Sequence, residues 1–324
     1  MSRVVNRIGY PTQVSATASG LTVSFASIDS AEFQDAFDFR TIDRNVSSES
    51  WSEKFDWTEI HTLSELSSNI IPAGMIFHHA RCGSTLMVRL LRCFKIQVYA
   101  EPLSPNYLLM PPMKIDKHHI VPAIRFLVHL IGLHSGAPFI IKHTSWNAIF
   151  AGEFVRAFPH TPWVFVARDP VATAMSVLET PPFWLRSSGR FTPYAREFGP
   201  IETVEQFVAA MLAAFVTIVT DLPKKNGQLV LYDELPGAVV DRVSDHFGLN
   251  KSAPDYKSLE AASNAYSKNE VGESTEYVTP DKVETTNIPQ ALSDALQNTA
   301  MPAMRRLLNE LRRESGRRRD FERC

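Results

Sequence analysis

A continuous apolar run, Met75-Ile76-Phe77, stops at His78-His79, and apolar positions resume from Leu86 at spacings of three and four through Met87, Leu90, Leu91 and Phe94. The run predicts a buried strand. The later spacing predicts an amphipathic helix with Arg89 and Arg92 off its apolar face. Between them lies the tight loop Arg81-Cys82-Gly83-Ser84-Thr85. The pattern recurs downstream: residues 96–100, 138–143, 161–168 and 228–235 read as strands. Residues 118–134 and 147–158, the stretch after Asp169-Pro170, and residues 202–220 and 239–247 read as helices. Strands that alternate with helices predict an α/β fold, a doubly wound parallel sheet with helices on both faces.

Residues 1–70 follow a different pattern. VSATASGLTVSFAS has the alternation and central glycine of a small hairpin, and residues 31–39 predict a helix. Residues 41–69 are polar, acidic and serine-rich, yet Trp51, Phe55, Trp57 and Ile60 argue for packing rather than a disordered arm. Residues 1–70 are therefore expected to form an extension packed on a main domain spanning 71–324. Two roles stay open for it, a wall of an acceptor pocket or plain surface cover. Residues 183–200 mix aromatics, glycines and arginines in the manner of a lid. Arg186, Arg190 and Arg196 there suit an anionic acceptor or are solvated loop charges. Residues 303–324 hold eight arginines against four acids, a solvated basic tail.

Composition narrows the function. The 324 residues are 44% hydrophobic and 21% charged with a formal net charge of -2, so wholesale nucleic-acid binding is not expected. Three cysteines, Cys82, Cys93 and Cys324, cannot build a disulfide framework. The N-terminus has no signal-like apolar core, and no apolar run reaches the roughly 18 residues of a membrane span. A cytoplasmic enzyme with a small soluble acceptor is the expectation, without nucleic-acid or membrane partners and compatible with a homo-oligomer.

Candidate chemistry gathers at strand ends. A glycine followed by two hydroxyls at a helix start offers unpaired N–H groups and a positive dipole end to an anion. A triphosphatase loop would place lysine after its second glycine, whereas here the basic residue, Arg81, precedes Gly83. Pro102 stops the strand 96–100 and leaves Glu101 at its C-terminal end, where open parallel sheets bind ligands. Lys142 and His143 end the next strand. Arg168 ends another, before Asp169 and Pro170 at a helix start, with Ser176 eight residues beyond. His78, His79 and Cys82 invite a zinc reading, but adjacent strand residues face opposite ways and no fourth ligand is evident.

The loop Arg81–Thr85 resembles the 5′-phosphosulfate loop of sulfotransferases that use 3′-phosphoadenosine 5′-phosphosulfate (PAPS). ARDPVATAMSVL resembles the 3′-phosphate motif of the same family, in the expected order about 85 residues on. A weaker match is YSKNEVG at residues 266–272, which keeps Lys268 and Gly272 but has Ser267 and Asn269 in place of the family's arginine and first glycine. The resemblance covers residues 74–272. It implies a P-loop-like sulfotransferase fold and sulfuryl transfer from PAPS to a hydroxyl or amine, with adenosine 3′,5′-bisphosphate (PAP) as product and no metal. It also implies roles. Arg81, Cys82, Gly83, Ser84, Thr85 and Leu86 would cradle the 5′-phosphosulfate, and Lys142 would steady the leaving phosphate. Arg168 and Ser176 would hold the 3′-phosphate, with Ser267 and Lys268 closing over it. The family's YEDL reads Tyr232-Asp233-Glu234-Leu235 here, with the acids exchanged, and carries no assigned role. Glu101 is the favoured base, since a carboxylate in a closed site can be raised toward the working pH. His143, on the opposite strand face, is the alternative. Competing functions are a small-molecule kinase on a degenerate P-loop and a catalytically silent nucleotide-binding scaffold.

Overall fold

The computed structural model describes residues 9–45, 47–66, 70–112, 115–249, 256–264 and 288–321. Its first strands, β1 (Tyr10–Thr17) and β2 (Gly20–Ala26), form the predicted hairpin, with Val14 opposite Val23. The turn needs glycine at position 20, where φ is +156° and a Cβ would lie 2.0 Å from the Phe55 carbonyl oxygen. That carbonyl belongs to β3 (Ser50–Asp56), an antiparallel neighbour that the polar composition of residues 41–69 concealed. Of its residues only Phe55 is fully buried, so the strand has a weak apolar signal.

The helix expected at 31–39 does not form. Asp29 accepts the Ala31 N–H at 2.8 Å and caps one 3-10 turn, and the helix α1 starts later (Asp38–Arg44). A second helix, α2 (Trp57–Leu66), follows β3 directly.

Five parallel strands then build the central sheet: β4 (Gly74–His78), β5 (Gln97–Ala100), β6 (Phe139–Lys142), β7 (Trp163–Ala167) and β8 (Gly227–Leu231), in the order β5-β6-β4-β7-β8. Every residue of β4, β6 and β7 is buried, as strands covered on both faces require. Side chains alternate between two cores. Met75, Phe77, Ile141 and Phe165 join the first, while Ile76, Val98, Ile140, Val164 and Val230 join the second.

The helices between these strands are α3 (Ser84–Arg92), α4 (Leu103–Leu109), α5 (Lys117–Ser135), α6 (Ala151–Ala157), α7 (Pro170–Glu179), α8 (Phe183–Arg186), α9 (Ser188–Ala195) and α10 (Val204–Thr220). Residues of α3 fill the second core, and those of α5, α6 and α10 fill the first together with Tyr10, Val23, Phe33 and Phe55. The α10 start is fixed by a capping box between Thr203 and Gln206. Helices Gln290–Asn298 and Ala300–Phe321 pack on it. Among the described residues no helix is long and apolar enough to cross a membrane.

Several boundaries differ from the sequence reading, among them the helix expected at 239–247, which is a π-helical turn, Val239–Val243, followed by the short helix Ser244–His246. A 3-10 segment, Ser145–Phe150, precedes α6. Strand β8 stops at Leu231, because Glu234 accepts the Leu231 N–H at 2.6 Å and turns the chain. Residues 183–200 are mostly short helices rather than an open lid. Trp184 and Phe191 are fully buried there, each worth about 1.5–3 kcal/mol of stability. Arg186 and Arg190 donate to the carbonyls of Pro181 and Pro111 at 3.0 and 2.9 Å.

Candidate active site

Each of the five parallel strands delivers one component to the same sheet edge. Pairing sets Ala100 level with Lys142, and Lys142 level with Ile76. Ala167 is likewise level with Leu231. Glu101, Lys142, the loop 79–83, Arg168 and Tyr232 therefore follow one another across the C-terminal ends, where ligands bind in such sheets.

The loop after β4 has an unusual backbone. Ala80, Arg81 and Gly83 have φ of +72°, +50° and +83°. The first two pay a steric penalty of about 1 kcal/mol or more each, so their surroundings must hold them. The two histidines do so. His78 Nδ1 accepts the Ala80 N–H at 3.1 Å, which assigns the ring proton to Nε2, and Nε2 donates to the His143 carbonyl at 2.9 Å. His79 Nε2 accepts the Arg168 N–H at 2.8 Å, and its Nδ1 donates to the Ala80 carbonyl at 3.1 Å. Both rings are buried, and burial holds both pKa values low, His79 at about 4. They are neutral braces. With all four ring nitrogens engaged this way, neither is disposed as a zinc ligand.

Gly83 stands at the N-cap of α3, and no side chain caps that helix. Its first-turn N–H groups, with the buried Ser84 and Thr85, face the start of the helix where an anion binds best. A Cβ on Gly83 would lie 2.8 Å from both Leu235 Cδ1 and Tyr232 Cδ2, so the position requires glycine for space as well as for φ. Leu86 is half-buried one turn into the helix. Cys82 is fully buried, and burial pushes its thiol up to about 11. It is a protonated loop residue, not a nucleophile.

The second motif meets the first. Arg81 Nε donates to Ser176 Oγ at 2.9 Å, across 95 positions of sequence. Arg168 reaches the Arg81 carbonyl with Nη1 at 3.4 Å, and its guanidinium lies 4.5 Å from the centroid of the Tyr232 ring. That cation–π platform was not legible in the exchanged acids of Tyr232-Asp233-Glu234. The signal that would have found it is the aromatic directly after a strand level with Arg168.

Glu101 and Lys142 form the other half. The Lys142 ammonium, 1% exposed, donates to Glu101 Oε1, and His78 Nε2 lies 3.8 Å from the same oxygen. The Glu101 N–H donates to the Lys142 carbonyl at 2.7 Å, with Glu101 at φ +62°. Asn106 Nδ2 donates to the Glu101 carbonyl at 3.2 Å and is itself held by Asn147 at 2.8 Å. Lys142 Nζ lies 5.1 Å from the Phe37 ring centroid, and Asp38 Oδ1 accepts the Ala100 N–H at 2.7 Å. Both residues come from the segment before the parallel sheet, where no local pattern marks them.

His143 lies apart from this group. Its ring stacks on Phe77 at 4.7 Å and meets Phe154 at 4.0 Å, in the first core. Neither ring nitrogen has a partner among the described residues, and burial, then Lys142, hold its pKa down at about 3. Ser267 and Lys268 lie outside the described residues.

No protein-family model and no curated protein matches the chain. The chain is similar to sulfotransferases of known structure. A sulfotransferase from Alicyclobacillus acidocaldarius is 15% identical over 73% of this chain and 94% of that one, with a TM-score of 0.41. The sulfotransferase domain of the Synechococcus PCC 7002 olefin synthase is 15% identical over 71% and 94%, with a TM-score of 0.45. The sulfotransferase domain from the curacin biosynthetic pathway is 13% identical over 74% and 98%, with a TM-score of 0.38. Every TM-score is below 0.5, so the function argued next rests on the loop and its partners, not on these overlaps.

Proposed function

We propose that the chain transfers a sulfuryl group from PAPS to a hydroxyl or amine of a small acceptor. The observation that carries this is the junction of Arg81 with Ser176 at 2.9 Å, beside Arg168. It joins a loop suited to a 5′-phosphosulfate to a second cationic position suited to a 3′-phosphate. Three cations, Arg81, Lys142 and Arg168, and one carboxylate, Glu101, follow the C-terminal ends of adjacent strands, and that balance favours a polyanionic donor.

The residues divide the chemistry. The α3 start, Ser84 and Thr85 bind the phosphosulfate oxygens, and Arg81 spans from the loop toward α7. Glu101 takes the acceptor proton as the acceptor atom bonds to sulfur. The S–O bond to the nucleotide phosphate breaks, its electron pair stays on that phosphate oxygen, and the Lys142 ammonium stabilises the charge. In the free protein Lys142 rests on Glu101. Donor binding draws it toward the phosphate and frees the carboxylate as base. His143, neutral and enclosed by Phe77 and Phe154, has a packing role. We place the reaction in the cytoplasm.

Calorimetric titration with PAP, with ADP in parallel, tests the reading. Binding of PAP that Arg168→Ala removes, with none for ADP, followed by transfer of label from sulfur-labelled PAPS to an acceptor, is the expected result. Equal binding of ADP, or none of PAP, would overturn it.

A further inference from the structure

We propose a divalent transition-metal site, built for Zn²⁺, at the junction of α2 and α5, with Asp116, His118 and His119 as ligands and His61 positioning His119. It shares no residue with the transfer site and does not depend on that reading. One ligand atom of each of Asp116, His118 and His119 lies within 4.8 Å of the others. Asp116 is the N-cap of α5, so the two histidines sit in its first turn, and Asp116 and His118 are exposed.

A second element fixes the third ligand. His61, from α2, brings Nε2 to 2.9 Å from His119 Nδ1. Trp57 stacks flat on His119, with centroids 3.9 Å apart and planes 4° apart, and its own ring is anchored by Nε1 donating to the Ala18 carbonyl at 3.0 Å. His118 lies beside His119, with ring centroids 3.8 Å apart. Four imidazole or indole rings from two helices are thus gathered at the surface, with Trp57 also packing on the edge of the first core.

The chemistry and dimensions suit zinc. Two imidazoles and a carboxylate are a nitrogen–oxygen set that Zn²⁺ accepts with water as the fourth ligand. Nitrogens bound to one tetrahedral Zn²⁺ at about 2.05 Å stand about 3.3 Å apart. The present spacing closes to that by rotation of exposed Asp116 and His118. A ligating imidazole is oriented by donating its other ring N–H to an acceptor, and here His119 Nδ1 would donate to His61 Nε2, leaving His119 Nε2 for the metal. Bound metal would fix the start of α5 and, through the His119–His61 hydrogen bond, strengthen its contact with α2.

The test uses the tag-free full chain. Titration calorimetry with zinc sulfate, with magnesium as control, is expected to show one equivalent of Zn²⁺ and no Mg²⁺. His118→Ala, at an exposed position, is expected to weaken binding at least tenfold, and His61→Ala by about tenfold. Cu²⁺ as a spectroscopic probe is expected to show imidazole nitrogen couplings and to quench Trp57 emission, a quench missing in Trp57→Phe. Unfolding curves without metal check that each variant folds. Zinc affinity unchanged in His118→Ala, or copper spectra without nitrogen couplings, would overturn the proposal, as would no zinc binding at all.

Discussion

Glu101 and Lys142 are bonded twice, once through the ammonium and carboxylate and once through the Glu101 N–H and the Lys142 carbonyl at 2.7 Å. The backbone bond survives any side-chain change, so substitution here separates chemistry from architecture. Glu101→Gln is expected to lower turnover about 10²- to 10⁴-fold while PAP binding holds. Lys142→Met is expected to lower turnover similarly. Glu101→Gln also leaves a buried ammonium without its counter-charge. The cost is about 3 kcal/mol, the low end for buried pairs, because Glu101 keeps 20% of its side chain exposed. The double variant should recover most of that stability and none of the activity, a pattern read by denaturant unfolding beside a transfer assay.

The Ser176 hydroxyl accepts from Arg81 Nε of the loop at 2.9 Å. Ser176→Ala removes a hydrogen bond to a charged group, worth about 1.5–3 kcal/mol. PAP affinity should fall at least tenfold, and stability by no more than about the same 1.5–3 kcal/mol. Arg168→Lys is the companion variant: it keeps the charge but loses the planar stack on Tyr232 at 4.5 Å. Calorimetry that finds either variant binding PAP as wild type does would place the 3′-phosphate elsewhere.

Gly83→Ala combines two faults. The residue must enter a φ of +83°, and its Cβ meets Leu235 and Tyr232 at 2.8 Å. A cost of about 1–3 kcal/mol in stability is expected. PAP binding should be lost more completely than stability, since the loop carries the N–H groups at the α3 start. Thermal unfolding with and without PAP measures both.

The parallel strands were legible because burial on both faces leaves near-unbroken apolar runs, as in Trp163–Ala167. The loop and Arg168 were legible because glycine, hydroxyls and strand-terminal cations have few other uses together. β3 was not, because SWSEKFD buries one large side chain, Phe55, and looks like a loop. Phe37, Asp38 and Tyr232 were missed for another reason. They reach the site through tertiary contact with strand ends far away in sequence, and no local period encodes that. The histidines after Phe77 lacked a fourth zinc ligand in the sequence, and their ring nitrogens brace the left-handed backbone at Ala80, two residues from His78 and one from His79.

His143 and Glu101 are distinguished as bases by one substitution. His143→Phe keeps a flat ring in the Phe77 and Phe154 slot and removes two buried nitrogens that have no partner among the described residues. Activity within about twofold of wild type is expected, with a gain in stability of about 1–3 kcal/mol from the removed desolvation cost. Loss of turnover on the scale expected for Glu101→Gln would move the base to His143.

Asp38 and His143 impose opposite pH slopes on stability. Asp38 is buried and accepts from Tyr10 Oη at 2.7 Å and from the Ala100 N–H, yet burial dominates and raises its pKa from 3.8 to about 7. The folded state therefore holds a proton that the unfolded chain releases above about pH 4. This contribution is complete at acid pH and is lost as pH rises to about 7. His143 is the reverse: its pKa falls from 6.5 to about 3, so its contribution is present above pH 6.5 and is lost on acidification. In the wild type the two partly cancel between pH 4 and 6.5, and single variants expose them. Asn at position 38 keeps both hydrogen bonds, accepting from Ala100 and donating to Tyr10, without titrating. The stability of wild type relative to Asp38→Asn should thus rise by a few kcal/mol as pH is lowered from about 7.5 to 4.5. Relative to His143→Phe it should fall over the same range. Urea unfolding at half-unit pH steps measures both differences. A flat difference for Asp38→Asn would mean that the carboxylate stays ionised against Tyr10 and Ala100. The segment before the parallel sheet would then hold a fixed negative charge beside Glu101.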